Sequence, residues 1–452
     1  MTVIEHIKTG LLWLMIGSSL ILSWFVWTYQ PAHDELDTPA EAFIEIEDIG
    51  ESKSLTELLY PSQVISYEDE ERFWIHPAGD NYEELLTALE EVELEAMTPV
   101  STDVLAEPGE SLQGVEVFFD EALEDNWLPF LFDIEEEDIL VENVDRMMIL
   151  ETEGEDTADV VVRFVDEEEE EVFESDTALS PSEMRSFRQG IVTERTLVEP
   201  RLFGEDEEDD IVSYTYVAAE PVNERIFMYE TNDISEDGFI QSLFPDPDYI
   251  EQYSTDGEET SYTDSSRMLH IEDEGSTLHY IHPDSAGGPV TSETMLRTSQ
   301  EFVNGHFGWT DDYYATSWSD NGDAEAVFTL HVEGLPVFSS NTNNASHYEI
   351  ALQRAGLDIS DYTRPLFQLE EEPFEIDTNI ELPAYEEVET QIDEEELFSS
   401  GDVEDARIAY SMNLDNSLAV FEPVWFVYAR GQWNQITLPE QQEPEVPTDG
   451  LE

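Results

Sequence analysis

The sequence GLLWLMIGSSLILSWFVWTYQP, residues 10–31, decides how the rest of the chain is organised. It contains no charged residue, and about 20 helical residues span about 30 Å, the thickness of a hydrocarbon core. A cleaved signal peptide is the alternative, but its apolar region is about 7–15 residues long and ends at small residues. Bulky Trp24 and Trp27 occupy that place, and Pro31 ends the helix. The stretch therefore predicts an uncleaved transmembrane anchor over residues 10–30.

The charges that flank this stretch predict its orientation. Lys8 and the N-terminal amine precede it, whereas no lysine or arginine follows it before Lys53. The positive-inside rule then places residues 1–9 in the cytoplasm and residues 31–452 outside. The residues predicted to lie at the membrane interface are Lys8, Trp27 and Tyr29.

Small residues on the predicted anchor suggest that it contacts another membrane helix. Such residues let two helix backbones approach closely in lipid. A heptad-like seam and a second face with a pair of serines are both candidates, although glycine and serine also occur in passive anchors. The residues of the seam are Gly10, Leu14, Gly17, Ile21 and Trp24, and the serines of the second face are Ser19 and Ser23.

The charge of the chain excludes two kinds of partner. With 109 acidic and 16 basic residues, the formal net charge is −93. A field this negative repels phosphate, so we exclude nucleic acids and anionic lipid surfaces as ligands. The basic residues are arginines apart from Lys8 and Lys53, and arginine stays charged at alkaline pH. We interpret the acidity as adaptation to a saline or alkaline habitat, with a cation buffer as the alternative.

The sequence carries no recognisable catalytic motif. It has no cysteine, which excludes disulfides, zinc–thiolate sites, iron–sulfur clusters and cysteine nucleophiles. It also lacks the GxSxG, HExxH and P-loop patterns. Carboxylate pairs carry no signal among so many acids, and we interpret His270, His279 and His282 as ordinary sheet residues. We therefore expect no enzyme activity and no cofactor.

The pattern along the chain predicts an α+β protein in which three exterior domains of antiparallel sheets and packed helices follow the anchor. Acidic runs and changes of pattern mark the boundaries. The predicted segments are a juxtamembrane linker at 31–57, an N-terminal α+β domain at 58–204, a strand-rich central domain at 205–290, a C-terminal α+β domain at 291–438 and a disordered tail at 439–452.

Local patterns predict individual elements within these domains. Residues 266–283 read as a hairpin that turns at Glu274-Gly275. A helix with Asp233 as its N-cap is predicted to end before Pro245, and others are expected at about 82–92, 291–306 and 383–392. The segments GLPVF and EPVWFVYARGQW, at 334–338 and 422–433, both read as edge strands because a proline cannot donate to a neighbouring strand.

One aromatic cluster allows two interpretations. The segment HFGWTDDYYATSW, residues 306–318, is rich in aromatic side chains. If exposed, they would form a platform for a saccharide or a partner. If buried, they would fill the core of the C-terminal domain, which is the commoner use of large aromatic residues.

Several of these segments resemble the YycH (WalH) family, the membrane-anchored accessory proteins of a two-component system for cell-wall homeostasis in Firmicutes. The resemblance lies in Ile7-Lys8-Thr9, the apolar span and the Trp27–Pro31 segment that follows it. The segments VEGLPVFS, residues 332–339, and EPVWFVYARGQW are also similar to the family. Length, a single anchor and the lack of cysteine fit as well.

The resemblance implies a function that the residues alone do not reveal. It implies an accessory regulator of the sensor histidine kinase YycG (WalK), working with a similar protein, YycI, through contacts among membrane helices. Relatives differ in whether they activate or inhibit the kinase. The alternative hypothesis is a tethered exterior module that binds cell-wall polymer or peptide, for which any anchor would suffice.

Overall fold

A computed structural model describes most of the chain from residue 49 onward, together with Met15. The chain divides into a unit Met1–Glu47 and a second unit Asp48–Glu452, and the second is described below. Among the described residues there is no helix long and apolar enough to cross a membrane. The described residues are 15, 49–77, 92–105, 112–153, 158–190, 195–203, 211, 213–255, 259–283, 294–320, 324–339, 342–374, 378–395, 398, 400–415 and 417–437.

Three predictions fall outside these residues. The anchor at 10–30 is described only at Met15, and the helix expected near residues 82–92 is described only at Val92. The tail predicted at 439–452 is not described at all. All three stay predictions.

The first half of the described unit forms one antiparallel sheet. Its strands are β1 Gln63–Asp69, β2 Glu71–Ile75, β3 Thr98–Val100, β4 Leu112–Glu124, β5 Asn143–Glu153, β6 Ala158–Asp166, β7 Glu171–Asp176, β8 Arg195–Arg201 and β9 Thr215–Ala218. In the described residues they pair in the order β3-β7-β6-β5-β4-β1-β2-β8-β9. Val161 and Val162 of β6 point to opposite faces and both are buried. The continuous apolar run of this strand therefore reflects a core on each side of the sheet.

The second half forms a larger sheet. Its strands are β11 Phe227–Asp233, β12 Glu251–Thr255, β13 Glu259–Thr263, β14 Met268–Glu272, β15 Thr277–Ile281, β16 Tyr313–Ser319, β17 Ala324–Val332, β18 Leu335–Phe338, β19 Glu349–Ala355, β20 Asp358–Pro365, β21 Phe367–Leu369, β23 Val403–Asp415, β24 Leu418–Ala429 and β25 Gln432–Ile436. A separate pair joins β10 Val222–Arg225 to β22 Asn379–Leu382. In the described residues every strand pair is antiparallel except β18 with β23. The predicted antiparallel-sheet fold is confirmed at this level.

The two proline-containing strands are interior strands, so the prediction that they lie at sheet edges is wrong. In the described residues β18 lies between β17 and β23, and β24 lies between β23 and β11. Pro423 stands opposite Tyr410 within the β23–β24 ladder. Each proline removes a single donor, whereas Val337, which follows Pro336, and Phe426, three residues after Pro423, are fully buried. Burial of the apolar side chains therefore outweighs the missing hydrogen bond.

Few helices accompany the sheets in the described residues. They are α1 Leu128–Leu131, α2 Pro181–Gly190, α3 Glu236–Leu243, α4 Met295–Gly305 and α5 Tyr385–Glu395. The N-cap of α3 is Ser235, not the predicted Asp233, and its Oγ accepts a hydrogen bond from Asp237 N at 3.3 Å. Asp233 instead ends strand β11, which extends the sheet at the expense of the helix.

Local turn chemistry explains the predicted hairpin, which is confirmed. Strands β14 and β15 pair across a short turn at Asp273–Gly275. Gly275 has a φ of +100°, a conformation that residues with a Cβ atom rarely adopt. The glycine in the sequence therefore located the turn correctly.

The two large sheets define two lobes that share one continuous hydrophobic core, from Leu58 to Ile436. We call residues 58–218 the N-terminal lobe and residues 222–437 the C-terminal lobe. Strand β9 pairs with β8, and β15 pairs with β20, so sheet pairing crosses the boundaries that were predicted after residues 204 and 290. The division into three domains stays a prediction.

Candidate functional site

The site residues predicted from the sequence cannot be placed. The seam and serine faces of the anchor (Gly10, Leu14, Gly17, Ile21, Trp24, Ser19 and Ser23) and its interface residues (Lys8, Trp27 and Tyr29) lie outside the described residues. The described part of the chain offers a different candidate. It is the place where the chain that follows the first unit meets the C-terminal lobe.

Residues Ile49–Leu55, which we call the strap, lie along the C-terminal lobe before the chain enters β1. Gly50 N donates to Phe307 O at 2.9 Å. Glu51 and Trp309 exchange two main-chain hydrogen bonds, each 2.8 Å long, as an antiparallel bridge. The strap lies within the segment predicted as a juxtamembrane linker, and it is held by main-chain pairing.

Two glycines permit this close approach of the two backbones. A Cβ atom on Gly50 would lie 2.4 Å from Trp309 O, closer than nonbonded atoms can stand. A Cβ atom on Gly308 would lie 2.5 Å from Glu51 O, and Gly308 also has a φ of +72°. Both positions therefore require glycine for the strap to pack as it does.

Two amide side chains of α4 hold the next part of the strap. Gln300 and Asn304 lie one turn apart on the same helix face and donate to Lys53 O at 2.8 and 2.9 Å. Asn304 Oδ1 accepts from Lys53 N at 3.1 Å and from Trp309 Nε1 at 2.9 Å. Asn304 thus satisfies both main-chain groups of Lys53 while the indole fixes its orientation.

The side chain of Lys53 is also held. Its Nζ donates to Asp311 O at 3.3 Å and lies 3.6 Å from Asp312 Oδ1. The ammonium stands 5.3 Å from the centre of the Tyr314 ring, and the side chain is only 16% exposed. The only lysine that follows the anchor in the sequence is therefore used to fasten the strap.

A buried arginine supports the turn against which the strap packs. Arg364 is fully buried, and its guanidinium donates to Gly308 O at 3.1 Å and to Thr310 Oγ1 at 3.3 Å. It also donates to Tyr362 OH and Pro365 O, each at 3.3 Å. This network fixes the main chain around Gly308, against which the strap packs.

Asp311, in the same turn, is incompletely paired. Its Oδ1 accepts from Leu369 N at 2.9 Å, whereas Oδ2 has no hydrogen-bond partner, and neither has the buried Tyr313 hydroxyl. Burial raises the pKa of Asp311 to about 6, although the Leu369 amide, Thr310 and Arg364 oppose the shift. The turn that carries the strap therefore contains a carboxyl group whose charge changes near neutral pH.

The aromatic residues of 306–318 belong to the core. Trp309 and Tyr313 are buried, and the Trp309 ring meets Phe328 edge-on with 4.8 Å between ring centres. Phe307 packs edge-on against Phe239 at 5.0 Å. The interpretation as core residues is confirmed, and the interpretation of this segment as an exposed platform is wrong.

The histidines of the β14–β15 hairpin each have a protein partner. His270 and His279 face each other across the strands with 6.2 Å between ring centres. His270 Nδ1 lies 2.8 Å from Ser261 Oγ, and His279 Nε2 lies 3.0 Å from Asp361 Oδ2. The hydrogen bond with Asp361 raises the pKa of His279. Among the described residues no group of three histidine or acidic side chains is arranged to hold a metal ion.

Ion pairs join the two lobes. Arg407 of β23 pairs with Asp120, which lies where the register of β4 shifts, and with Asp405 at 2.7 Å. His76 Nε2 lies 2.8 Å from Glu224 Oε1 at a second point of contact. Polar contacts and a shared hydrophobic core therefore both join the two lobes.

An acidic cleft of about 330 Å³ lies beside the contact between Arg407 and Asp120. Burial raises the pKa of Glu121 and of Asp145 within it. Arg407 compensates two of its carboxylates, and the main-chain N–H of Glu167 donates to Asp145. The acidic residues that line the cleft are Asp120, Glu121, Asp145, Glu167, Glu404 and Asp405.

Sequence reasoning missed the residues that hold the strap. Gln300, Asn304 and Asp311 lie in local patterns that predict only a helix and a loop, about 250 positions from their partners. The one available signal was Lys53, the only lysine after the anchor. Every other basic residue after Lys8 is an arginine, so a lysine at position 53 is unusual for this chain.

The fold and the site define a class of protein: a body of two antiparallel-sheet lobes in which the C-terminal lobe holds the segment that precedes the first strand. The models of the YycH protein N-terminal and C-terminal domains match residues 5–187 and 213–443. The chain therefore belongs to the YycH family.

A similar sequence and a similar solved structure agree with this assignment. The "Two-component system WalR/WalK regulatory protein YycH" of Bacillus subtilis (strain 168) is 20% identical over 96% of both chains. The crystal structure of YycH from Bacillus subtilis matches with a TM-score of 0.67 and 17% identity, over 86% of this chain and 98% of that one. The chain is a member of a family of regulatory proteins and is not an enzyme.

Proposed function

We propose that this protein is a membrane-anchored accessory regulator of a WalR/WalK-type two-component system and acts on its sensor histidine kinase. The observation that carries the proposal is the match along 96% of both chains to a Bacillus subtilis protein of that regulatory name. A match of this extent includes the N-terminal stretch as well as both lobes. The whole arrangement of anchor and exterior is therefore the unit to which the function is assigned.

The predicted anchor is the part proposed to contact the kinase. Its seam (Gly10, Leu14, Gly17, Ile21 and Trp24) or its serine face (Ser19 and Ser23) packs against a membrane helix of the kinase or of a YycI-like partner. Such a helix changes kinase activity only if it packs differently against the two signalling states. A difference of about 1.4 kcal/mol between the states changes their ratio tenfold.

The exterior supports this assignment in a second way. Its aromatic cluster is committed to the core, and its lobes are joined by ion pairs and shared apolar packing. The exterior is thus suited to act as one body on the chain that leaves the membrane. We propose that residues 31–452 lie outside the cell and that residues 1–9 lie in the cytoplasm.

Replacement of the span tests this proposal. Residues 10–29 are exchanged for an unrelated apolar span, with expression and membrane insertion matched to the wild type. We expect the phosphorylated fraction of the response regulator in living cells to change to the value seen on deletion of the protein. The control exchanges the same span for a copy in which only lipid-facing leucines become isoleucine.

Normal regulation with the unrelated span would contradict the helix mechanism. It would favour the alternative, an exterior module that binds cell-wall polymer or peptide and needs only a tether. If deletion of the whole protein leaves the phosphorylated fraction unchanged, the regulatory function itself is wrong.

A further inference from the structure

We propose that the strap, Ile49–Leu55, is a coupling element that holds the chain ahead of β1 on the C-terminal lobe. This inference rests on the proposed function. The strap precedes β1, yet its hydrogen-bond partners are Gln300, Asn304 and residues 307–311. The chain is therefore attached to the C-terminal lobe before it enters the N-terminal lobe.

Docking of the strap changes how much of the chain ahead of β1 is held. With the strap docked, main-chain pairing holds the chain at Gly50 and Glu51. With the strap released, the next fixed points are Leu58 and Leu59, which are buried in the core. The seven residues of the strap, at about 3.3–3.6 Å each, then add up to about 25 Å of free chain ahead of β1. Docking of the strap thus decides how far the chain ahead of β1 can reach and which lobe that chain pulls on.

The chemistry of the strap suits a contact that forms and breaks. Most of its bonds are neutral hydrogen bonds between main-chain groups or to carboxamides, and neutral bonds depend little on salt concentration. The Lys53 ammonium adds a charged contact to the C-terminal lobe, and Ser54 donates to the Glu57 carboxylate. Ile49 and Leu55 pack against the hydrophobic core. Ordering seven residues opposes docking, since each ordered residue loses conformational entropy. The hydrogen bonds and the lost entropy oppose each other in the same seven residues, so removal of the bonds favours release of the strap.

The acidic composition of the protein is consistent with this arrangement. With a formal charge of −93, most surface contacts are repulsive at low salt and screened at high salt. A strap held by amides keeps its affinity in both conditions. The fully buried Arg364 donates to Gly308 O and so positions the turn against which the strap packs.

Two substitutions on opposite sides of the contact test the proposal in the full-length, membrane-inserted protein. Asn304→Leu removes the bonds to both main-chain groups of Lys53, and Gly50→Val introduces a Cβ where Trp309 O stands. We expect amide hydrogen exchange across residues 49–55 to accelerate at least tenfold in both variants, with exchange in β23 and β24 unchanged. The matched control is Asn126→Leu, an exposed amide in the N-terminal lobe.

The same variants are then compared for the phosphorylated fraction of the response regulator in cells. We expect both to move it at least twofold toward the value of the deletion, and Asn126→Leu to leave it unchanged. Unchanged exchange in both variants would show that these contacts do not hold the strap and would overturn the proposal. Accelerated exchange with normal regulation would also overturn it, while leaving the proposed function intact if the span exchange still abolishes regulation.

Discussion

Replacement of Arg146 by alanine is expected to lower the free energy of unfolding by about 3–5 kcal/mol, because it leaves a buried carboxylate without its counter-charge. Glu116 is fully buried and lies 3.4 Å from Arg146 Nε, while Arg146 Nη1 donates to Glu167 Oε1 at 2.6 Å. Burial raises the pKa of Glu116, and the arginine opposes that shift. Chemical denaturation of the wild type and the variant at pH 7 measures the difference.

Tyrosines surround this pair and sharpen the prediction. Tyr67 and Tyr214 donate hydrogen bonds to the Glu116 carboxylate, and the guanidinium stacks 4.5 Å above the Tyr214 ring. The double variant Glu116→Leu with Arg146→Met removes both charges, so we expect a much smaller loss than for Arg146→Ala alone. Arg430→Ala, in an exposed pair with Asp402, is expected to change stability by less than about 1 kcal/mol. A loss for Arg146→Ala as small as that would contradict the account.

Asp311→Asn is expected to change how stability depends on pH. The pKa of Asp311 is raised to about 6 in the folded protein, above its usual value near 4. The folded state therefore binds this proton more tightly, so the stabilisation is complete below pH 4 and is lost as pH rises through 6. Relative to the wild type, the asparagine variant should gain about 1–1.5 kcal/mol of stability between pH 5 and pH 8.

Denaturation at matched high salt across this pH range gives the measurement. Asp248→Asn is the matched control, because it removes the same charge from an exposed side chain that does not contribute to the pKa shift of Asp311. An equal trend in both variants would mean that net charge, and not burial of Asp311, produces the effect. Hydrogen exchange of the strap at pH 5 and at pH 8 then reports whether the ionised Asp311 carboxylate also loosens the turn.

Much of the C-terminal lobe was predictable because its strands carry strong local signals. The apolar run of residues 324–332 and the glycine turn at Gly275 specify strand and turn without reference to distant residues. The interior position of β18 was not predictable in this way. A proline lowers the local preference for a central strand, and only the burial of Val337 between β17 and β23 reverses that preference.

The strap shows why the candidate site could not be read from the sequence. Its pairing joins Glu51 to Trp309 and Lys53 to Asn304, and no periodic pattern connects positions so far apart. Ile49–Leu55 also has too few apolar residues to predict burial. Glycine at positions 50 and 308 is consistent with many turns, and only the facing backbones explain why both are needed.

We propose that the two lobes act on the kinase through the strap and the membrane span. The most direct test of this proposal measures the phosphorylated fraction of the response regulator in cells that carry the wild type, the exchanged span, Asn304→Leu, or both changes. The account predicts that each single change moves this fraction toward the deletion value and that Asn304→Leu has no further effect once the span is exchanged. A strap effect of full size on top of the exchanged span would contradict the account, since the exterior would then act without the helix.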